Sequence, residues 1–466
     1  MSAVTTPAPL SAAGPVAGID EARAFLAAHP AVEAAQIFIT DPSGVPRGKT
    51  IARSEIETLY TTGRNVAGSI VGLDITGADV DATGLVWEVG DADKLCRPVA
   101  GTLLPAPWLA RPTAQIMLSM FELDGRPAAA DPRHALARSI ARFAALGLTP
   151  VMACEIEFYL VRDKDADGIE PLYRPSAGGR QKIDAYGLDR LEHASDLFDE
   201  LFAAARTQGL PAETLMSEYA PGQFEITLHH RPDALRAVDE AILFKRLIKG
   251  VASKHGVTAT FMAKPFAAHA GSGLHLHLSL ADAAGRNLFA DAAPEGSLLL
   301  RQAIAGMQAT MAESVAIFAP NGNSYRRFRP SSYAPIAPTW GVNNRSVSLR
   351  VPAGAPVSRH VEHRVAGADA NLYLAAATVL AAAHRGIVQE LDPGPPIVGN
   401  GYTQADRRSL PSTWQLALER AAQSEFLADA LGADFLKVFL AIKNQECDRF
   451  TAEVTDLDYD WYLRST

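Results

Sequence analysis

Four segments of the chain alternate apolar with ionisable residues in the two-residue period of a β-strand. In each segment the apolar side chains fall mainly on one face, and carboxylates, imidazoles or a hydroxyl fall on the other. The segments are 154–160, 223–228, 274–280 and 360–365. The pattern predicts an antiparallel sheet with one face against a core. The residues on its other face are Glu155, Glu157, Glu225, His275, His277, Ser279 and Glu362.

A sheet with one solvated face would explain any single one of these strands. Solvated faces usually include lysine, however, and none of the four segments contains one. Closely spaced carboxylates raise one another's pKa values and oppose folding unless cations lie nearby. Taken together, the four segments favour a metal-lined cleft.

The donor types indicate which metal this cleft would hold. Five carboxylates with one or two histidines form a hard, oxygen-rich set suited to Mg²⁺ or Mn²⁺, whereas zinc usually recruits more His or Cys. This number of carboxylates would hold two or three ions. The five are Glu155, Glu157, Glu218, Glu225 and Glu362.

Two arginine-rich runs, 325–329 and 343–350, lie close to the same strands in sequence. The planar guanidinium fork binds phosphate and carboxylate groups in a bidentate manner. Each run alone is more typical of a salt-bridged surface. Beside a cleft with two metals, they favour phosphoryl transfer.

Charge and cysteine usage exclude several classes of function. The 466 residues include 52 acidic and 43 basic side chains, a net charge of −9, which argues against a nucleic-acid partner. Three widely spaced cysteines argue against a disulfide framework and predict a cytoplasmic protein. Residues 1–22 lack the lysine or arginine of a secretory signal. The apolar stretch 371–388 contains Asn371, His384 and Arg385, so it predicts a buried helix and no membrane partner.

The length predicts at least two domains. Residues 1–18 are rich in Ala, Pro and Thr and predict a disordered tail, followed by an N-terminal domain over 19–123 and a catalytic domain over 124–466. Asp41–Gly44 has the composition of a hairpin turn, and Asp131-Pro132 that of a helix start. Further helical patterns cover 191–208, 232–255, 297–318, 369–386 and 434–451.

Six motifs resemble, in order, the signatures of the glutamine synthetase superfamily over roughly residues 35–460. Segments 259–265, 269–273 and 364–371 are similar in particular to its γ-glutamylputrescine synthetase branch. Each motif alone is modest evidence, but six in the same order are specific. The motifs are 155–157, 217–225, 264–277, 323–327, 344–346 and 359–364.

The resemblance implies an α+β fold with two parts. A small N-terminal β-grasp domain precedes a large catalytic domain of the glutamine synthetase type, whose curved antiparallel sheet is flanked by helices. The resemblance also implies a homo-oligomer, commonly a dodecamer of two stacked hexameric rings, with active sites shared between neighbouring subunits.

The resemblance implies a role for each motif residue. One metal ion, near glutamate and the acyl phosphate, would be held by Glu157, Glu218 and Glu225. A second, on the ATP phosphates, would be held by Glu155, His275 and Glu362. The catalytic arginines would be Arg327, Arg345 and Arg364. Glutamate would contact Gly271, Arg327 and Arg364. The nucleotide would contact His277, Ser279, Arg345 and Arg350.

The implied reaction joins the γ-carboxylate of L-glutamate to an amine at the expense of ATP. A carboxylate is a poor acyl donor until one of its oxygens becomes part of a good leaving group. ATP would therefore phosphorylate the γ-carboxylate, and the amine would attack the resulting γ-glutamyl phosphate. ADP and phosphate are released, and catalysis rests mainly on positioning and electrostatics.

Two departures from the family pattern concern the acceptor. Ala67 stands where glutamine synthetases carry the aspartate of an Asp-Gly-Ser-Ser element, and Tyr333 stands where they carry a glutamate before Ala-Pro. Both changes remove negative charge from the implied ammonium pocket. They predict a larger alkyl amine, putrescine or another polyamine, as acceptor. Such an ammonium has a pKa near ~10.4 and must lose a proton before attack, for which Tyr333 is a candidate by position.

Other functions fit part of the same pattern. A ligase for a monoamine such as ethanolamine, an ammonia-using glutamine synthetase and a non-catalytic, ring-forming relative would share most of these motifs. A metal-dependent amidohydrolase would also use His-x-His on a strand, but it would need later histidines where this chain supplies carboxylates. His360 and Ala270 replace the family's usual Arg and Asn, and Tyr402 is expected on an exposed loop.

Overall fold

The computed structural model describes residues 14–164, 168–173, 183, 185–404 and 410–466. Most of the predicted tail therefore lies outside the described residues. Its last residues are structured, because Val16 forms a β-bridge with Val99 and the Ala17 N–H donates to the Pro98 carbonyl at 3.0 Å. Ala17 is buried. The predicted disordered tail of residues 1–18 is therefore wrong for Val16 and Ala17, and its first thirteen residues lie outside the described residues.

A six-stranded mixed sheet forms the first part of the chain. Its strand order is β2-β1-β6-β4-β3 with β5 beside β6, and β1 and β6 run parallel while the other pairs are antiparallel. The predicted turn after β1 is confirmed, with the Gly44 N–H bonded to the Asp41 carbonyl and Gly44 at φ +81°. The elements are α1 Ile19–Ala28, β1 Ala34–Thr40, β2 Pro46–Ala52, α2 Ile56–Thr62, β3 Arg64–Ala67, β4 Asp93–Pro98, β5 Leu104–Pro105 and β6 Thr113–Phe121.

In the described residues of the second part, nine strands form a central sheet. Its order is β13-β14-β15-β12-β7-β10-β9, with β8 and β11 also paired to β7. All pairs are antiparallel except β13 with β14. The α+β class is confirmed. The strands are β7 Thr149–Asp163, β8 Ile169–Pro171, β9 Ala212–Ser217, β10 Gln223–Leu228, β11 Thr258–Thr260, β12 Leu274–Ala281, β13 Trp340–Val342, β14 Leu349–Val351 and β15 Val361–His363.

Eleven helices among the described residues accompany this sheet. Asp131 caps the first by accepting from the Arg133 N–H at 2.9 Å, with Pro132 in the first turn, as the sequence predicts. The prediction of one helix over 191–208 is wrong, because Ala194 is non-helical at φ −113°, ψ 23° and separates two helices. The helices are α3 Pro132–Ala144, α4 Leu188–His193, α5 Ser195–Gln208, α6 Ala234–Lys254, α7 Leu298–Phe318, α8 Leu372–Val388, α9 Gly401–Gln404, α10 Trp414–Ala422, α11 Glu425–Leu431, α12 Ala433–Ala452 and α13 Asp456–Tyr462.

The apolar faces of β7 and β12 lie in the main core. Ile156 and Phe158 of β7 and Leu276 and Leu278 of β12 are fully buried in one apolar cluster with residues of α6, α7 and α8. Burying an aliphatic side chain of this size stabilises the fold by about 1.5–3 kcal/mol. Because strand side chains alternate, this burial directs the ionisable residues of both strands to the opposite face. In the described part of the chain, no helix combines the length and apolarity needed to cross a bilayer.

Helices α7 and α8 approach closely at two glycines, Gly306 and Gly386. A Cβ at Gly386 would clash with the backbone oxygen of Gln302, which cannot swing away as a side chain could. We expect Gly386→Ala to lower the free energy of unfolding by about 1–3 kcal/mol, measured as a shift of the urea midpoint. Gly354→Ala is the control, since a Cβ there would meet only Ser358 Oγ at 3.1 Å, and this side chain can rotate away. Equal midpoints for the two variants would contradict the tight helix contact.

Candidate active site

Strand β7 carries the two central glutamates of the cleft. In the antiparallel register Glu155 lies opposite His275 of β12, and Glu157 lies opposite Glu225 of β10. His275 Nδ1 hydrogen-bonds Glu155 Oε1, and His275 Nε2 lies 4.0 Å from Glu157 Oε1. The histidine therefore stands between the two carboxylates that the sequence placed on one face.

Strand β15 adds a third buried carboxylate. Glu362 lies opposite His277 of β12 and Arg350 of β14, and its Oε1 is 3.5 Å from His275 Nδ1. Arg350 Nη1 donates to Glu362 Oε2 at 2.8 Å, and Arg364 Nη1 donates to Glu362 Oε1. Glu362 is only 1% exposed, so these two guanidiniums provide the opposite charge that a buried carboxylate requires.

Among the described residues, two of the groups that bring their ligand atoms within 4.8 Å of one another contain carboxylates. The first, Glu155, His275 and Glu362, is the set implied for the ion on the nucleotide. The second consists of Glu157, Glu225 and His275, so it contains a histidine where Glu218 was expected. Glu218 follows β9, and its N–H donates to the Gln223 carbonyl at 2.9 Å.

The cleft holds more carboxylates than cations. Burial and the charge of Glu218 raise the pKa of Glu157 to about 7, and burial with the charge of Glu155 raises the pKa of Glu225 to about 11. Burial also raises the pKa of Glu218. In contrast, although burial opposes ionisation of Glu362, Arg364 lowers its pKa to about 2. Oxygen ligands that repel one another in this way fit hard divalent ions such as Mg²⁺ or Mn²⁺.

Two N–H donors, the Gly273 backbone and the Gln223 side-chain amide, orient Glu157. The sequence pattern alone did not indicate a role for either residue. The Gly273 N–H donates to Glu157 Oε2 at 2.8 Å, and Gln223 Nε2 donates to the same oxygen at 3.1 Å. Gln223 Nε2 also contacts the Gly271 carbonyl at 3.1 Å. A Cβ at Gly271 would lie 2.6 Å from the Ala263 oxygen and 2.8 Å from Arg327 Cγ, so only glycine fits there. Both Gln223 and Gly273 lie within the quoted motifs, which is the signal that could have identified them.

The predicted arginines differ in burial. Arg327 is 6% exposed, and its Nη1 and Nη2 donate to the Val365 and Arg364 carbonyls at 2.8 and 3.3 Å. Arg364 is 4% exposed and bonded to Glu362. Arg345 lies on the exposed loop before β14, and its charge counteracts the burial that raises the pKa of Glu218. Arg327 also lies close enough to Glu157 to counteract the burial that raises the pKa of that carboxylate, so all three guanidiniums influence acidic groups of the cleft.

The two residues predicted to line an acceptor pocket lie in different parts of the chain. Ala67 ends β3 and lines a cavity of about 330 Å³ beside the first sheet, with Ile37 and Phe38. Tyr333 is 62% exposed at φ +60°, on the loop that precedes β13. Tyr402, which was expected to be exposed, is half-buried, and its hydroxyl donates to the Ala334 carbonyl at 3.0 Å.

A group of three histidines lies beside the carboxylates. His230 follows β10, His277 lies on β12 and His360 precedes β15, and their ligand nitrogens come within 4.8 Å of one another. Ser279, two residues after His277, is buried on the same face of β12. Burial and the neighbouring His277 lower the pKa of His360 to about 4. The sequence analysis did not predict His230 as a site residue. The two consecutive histidines, His229 and His230, directly after a predicted strand could have indicated it.

Known proteins share both the sequence and the fold. Residues 129–462 match the family described as glutamine synthetase, catalytic domain. Gamma-glutamylputrescine synthetase PuuA of Escherichia coli is 38% identical over 448 residues, which cover 96% of this chain and 94% of that protein. Glutamate–isopropylamine ligase of a Pseudomonas species is 33% identical, covering 95% of this chain and 97% of that protein. The structure of a GmaS/ADP complex superposes with a TM-score of 0.83 at 29% identity, covering 96% of this chain and 99% of that chain.

The family match covers most of the chain and includes the four strands that line the cleft, and the two relatives match nearly its full length. The sequence-based recognition is therefore confirmed. The chain belongs to the glutamine synthetase family and is a ligase.

Proposed function

We propose that this ligase joins the γ-carboxylate of L-glutamate to an alkyl amine, with putrescine or another polyamine as the acceptor, and converts ATP to ADP and phosphate through a γ-glutamyl phosphate intermediate. The observation that carries the proposal is the cleft in which carboxylates from β7, β10 and β15 meet buried arginines. The relatives support the acceptor class, since two are named for putrescine and isopropylamine and another, 32% identical, is a gamma-glutamylethanolamide synthetase of Streptomyces coelicolor.

The two sets of side chains, one around Glu155 and Glu362 and the other around Glu157 and Glu225, fit a pair of Mg²⁺ or Mn²⁺ ions. One ion would be held by Glu155, His275 and Glu362 and the other by Glu157, Glu218 and Glu225, and a third ion could accompany the substrate phosphates. When bound, such ions neutralise the charge of the phosphates and of the transferring phosphoryl group. The raised pKa values of Glu157 and Glu225 support this assignment, because burial and the neighbouring carboxylates outweigh the positive charge that the protein places near them.

The arginines act on the glutamate and on the phosphoryl group. A glutamate γ-carboxylate oxygen attacks the terminal phosphorus of ATP and ADP leaves, while Arg327 and Arg364 hold glutamate beside Gly271 and stabilise the moving charge. Arg345 and Arg350, with His277 and Ser279, position the nucleotide. The amine nitrogen then attacks the γ-carbonyl carbon, and phosphate departs with the former carboxylate oxygen. The alkylammonium loses one proton before it attacks, for which Tyr333 is the candidate base, and the nitrogen releases a second proton once the amide bond has formed.

Ala67 lines a cavity beside the first sheet and Tyr333 is exposed on a loop before β13, an arrangement that would suit an acceptor pocket built by two subunits. We propose that residues 19–123 of one subunit face residues 124–466 of its neighbour in a ring-forming homo-oligomer, a dodecamer of two stacked hexamers. Size-exclusion chromatography with light scattering tests the assembly. Activity regained on mixing an Ala67 variant with a Glu157 variant would support shared sites.

The test of function uses purified protein with Mg²⁺, ATP, glutamate and a panel of amines. We expect phosphate release to be fastest with putrescine or a longer polyamine, intermediate with a monoamine such as ethanolamine, and slowest with ammonium. Mass spectrometry should find the matching γ-glutamyl amide. If ammonium outperforms every alkyl amine, the protein is an ordinary glutamine synthetase. If no amine supports phosphate release, a non-catalytic relative is the better account.

Restoring the missing acids should move the acceptor preference toward ammonium. We expect the double variant Ala67→Asp, Tyr333→Glu to raise the ratio of ammonium-dependent to putrescine-dependent kcat/KM by about tenfold, equal to about 1.4 kcal/mol, because charge attracts a small cation and bulk excludes a larger one. The double variant Ala67→Asn, Tyr333→Gln adds similar bulk without charge. An equal shift in both double variants would mean that charge does not set the preference.

A further inference from the structure

A cavity of about 550 Å³ lies between helix α6 and the first sheet. Gln36 of β1 and Pro46 of β2 line it from one side, and α6 lines it from the other. Helix α6 packs on the apolar face of β7, where Ile156 is buried, whereas Glu155 lies on the opposite face of that strand. The central sheet therefore stands between this cavity and the catalytic cleft, and neither the metal ions nor the substrates of the ligase account for its lining.

The walls of the cavity are strongly positive. Four of its lining side chains are cationic and, among the described residues, none is acidic; the cations are Lys245, Arg246, Lys249 and Lys254. Lys254 pairs with Glu200 at 2.6 Å, but in the described part of the chain the other three form no ion pair. Burial and the charge of Lys249 lower the pKa of Lys245 to about 7, despite the opposing charge of Asp369. Burial also lowers the pKa of Arg246. Like charges held this close together are stabilised when an anion binds between them.

The hydrogen bonds of these cations indicate which anion fits. Arg246 Nε donates to Gln115 Oε1 at 2.8 Å, and its Nη2 donates to Gln36 Oε1. These bonds occupy an edge of the guanidinium that a carboxylate would otherwise bind in a bidentate manner. Lys245 Nζ donates to the Ala368 carbonyl at 2.8 Å, which uses one of its three N–H donors. The remaining lysine donors act as point charges, which suit the rounded phosphate group better than a planar carboxylate.

The rest of the wall includes the apolar side chains of Trp108, Ile242 and Leu372. The Trp108 ring lies against the backbone of α6, so close that a Cβ at Gly250 would come within 2.5 Å of its indole atoms. The volume of the cavity falls within the range of about 300–1,000 Å³ that is typical of small-molecule sites, and it exceeds what a bare phosphate group needs. The cavity therefore suits a ligand that has a carbon portion as well as its charge.

We infer that this cavity binds one small organic phosphate that carries at least two negative charges. The phosphate would interact with Lys245, Arg246 and Lys249, and the carbon portion would lie against Trp108. A second cavity of about 190 Å³ shares three lining residues with the first and adds Lys49, so a further cation lies nearby. Because the lining residues come from both parts of the chain, the bound ligand would contact both. The site does not depend on which amine the ligase uses.

The test measures binding of pyrophosphate to the full-length protein by isothermal titration calorimetry, after metal ions have been removed by dialysis. Without metal, the excess carboxylates of the cleft repel a polyanion, so the cavity is the favoured site. We expect wild type to bind one pyrophosphate per chain. Lys249→Gln removes a cation and Ser253→Glu adds an acid to the cavity wall, so each should weaken binding by at least about tenfold. Lys437→Gln is the matched control, since Lys437 is an exposed lysine on α12, and it should bind as wild type does.

Lys249 and Ser253 are exposed, so both variants should keep the fold, and an unchanged circular dichroism spectrum will verify this. Citrate carries a similar charge on carboxylates and should bind at least about tenfold more weakly than pyrophosphate; equal binding would overturn the phosphate class. The site itself is overturned if wild type binds no pyrophosphate, or if both folded variants bind it as tightly as wild type. Loss of binding in Arg364→Lys with full binding in Lys249→Gln would place the anion in the cleft and would also overturn the inference.

Discussion

Replacing Glu225 with glutamine should lower kcat by about 10²–10³-fold and yet leave the metal-free protein as stable as wild type. Burial and the nearby Glu155 raise the pKa of Glu225 to about 11, so without metal this side chain is protonated and neutral at pH 7. Glutamine has the same size and is also neutral. The difference between the two proteins should therefore emerge only when a metal ion requires the ionised carboxylate.

Thermal unfolding with chelator and with increasing Mg²⁺ separates these effects. Ligands that bind only the native state raise its stability, so wild type should gain stability with Mg²⁺ and Glu225→Gln should gain less. Glu213→Gln is the control, because it makes the same substitution at an exposed position on the neighbouring strand β9. Its stability should change with Mg²⁺ as that of wild type does. If Glu225→Gln binds Mg²⁺ and catalyses the reaction as wild type does, Glu225 is not a ligand of the catalytic metal.

Replacing Arg364 with lysine should lower kcat by about 10²–10³-fold although the positive charge is kept. Arg364 is 4% exposed and bonded to Glu362, and its fork can hold Glu362 and a substrate oxygen at the same time. The ammonium group of lysine is a point charge without this planar pair of donors. Most of the loss should therefore fall on kcat, where the phosphoryl group is transferred, with a smaller effect on the KM for ATP.

Single-turnover measurement of ADP formation from ATP in the presence of glutamate checks this step without the amine. Arg286→Lys serves as the control, since Arg286 is an exposed arginine paired with Asp282 on a turn after β12. If Arg364→Lys forms ADP at the rate of wild type and loses activity only when the amine is added, Arg364 acts on acceptor binding or attack instead.

The alternation of side chains was sufficient to find the strands of the cleft. Residues such as Ile156 and Leu276 had to face the core, so Glu155 and His275 had to face the other way whatever the strand order. Helix caps also depend on residues close in sequence. The Asp131 carboxylate, for example, accepts from the N–H of Arg133, two residues further along the chain. Both features depend on interactions over a few residues, which is why the sequence alone predicts them.

Features that depend on strand register could not be predicted in the same way. Only the pairing of β12 with β7 sets His275 between Glu155 and Glu157 instead of placing Glu218 in that group. His230 lies just beyond the end of its strand, so it reaches His277 and His360 only after the sheet is assembled. A sequence pattern defines the face that a residue occupies, but not its neighbours on adjacent strands.

The most direct test of the central claim follows one oxygen atom. Glutamate labelled with ¹⁸O in its γ-carboxylate is incubated with the protein, Mg²⁺, ATP and putrescine, and the released phosphate is examined by mass spectrometry. Because the proposed reaction phosphorylates the carboxylate before the amine attacks, one ¹⁸O should appear in each phosphate, together with γ-glutamylputrescine. Unlabelled phosphate released at the same rate would contradict the account, since ATP would then be hydrolysed by water without activating glutamate.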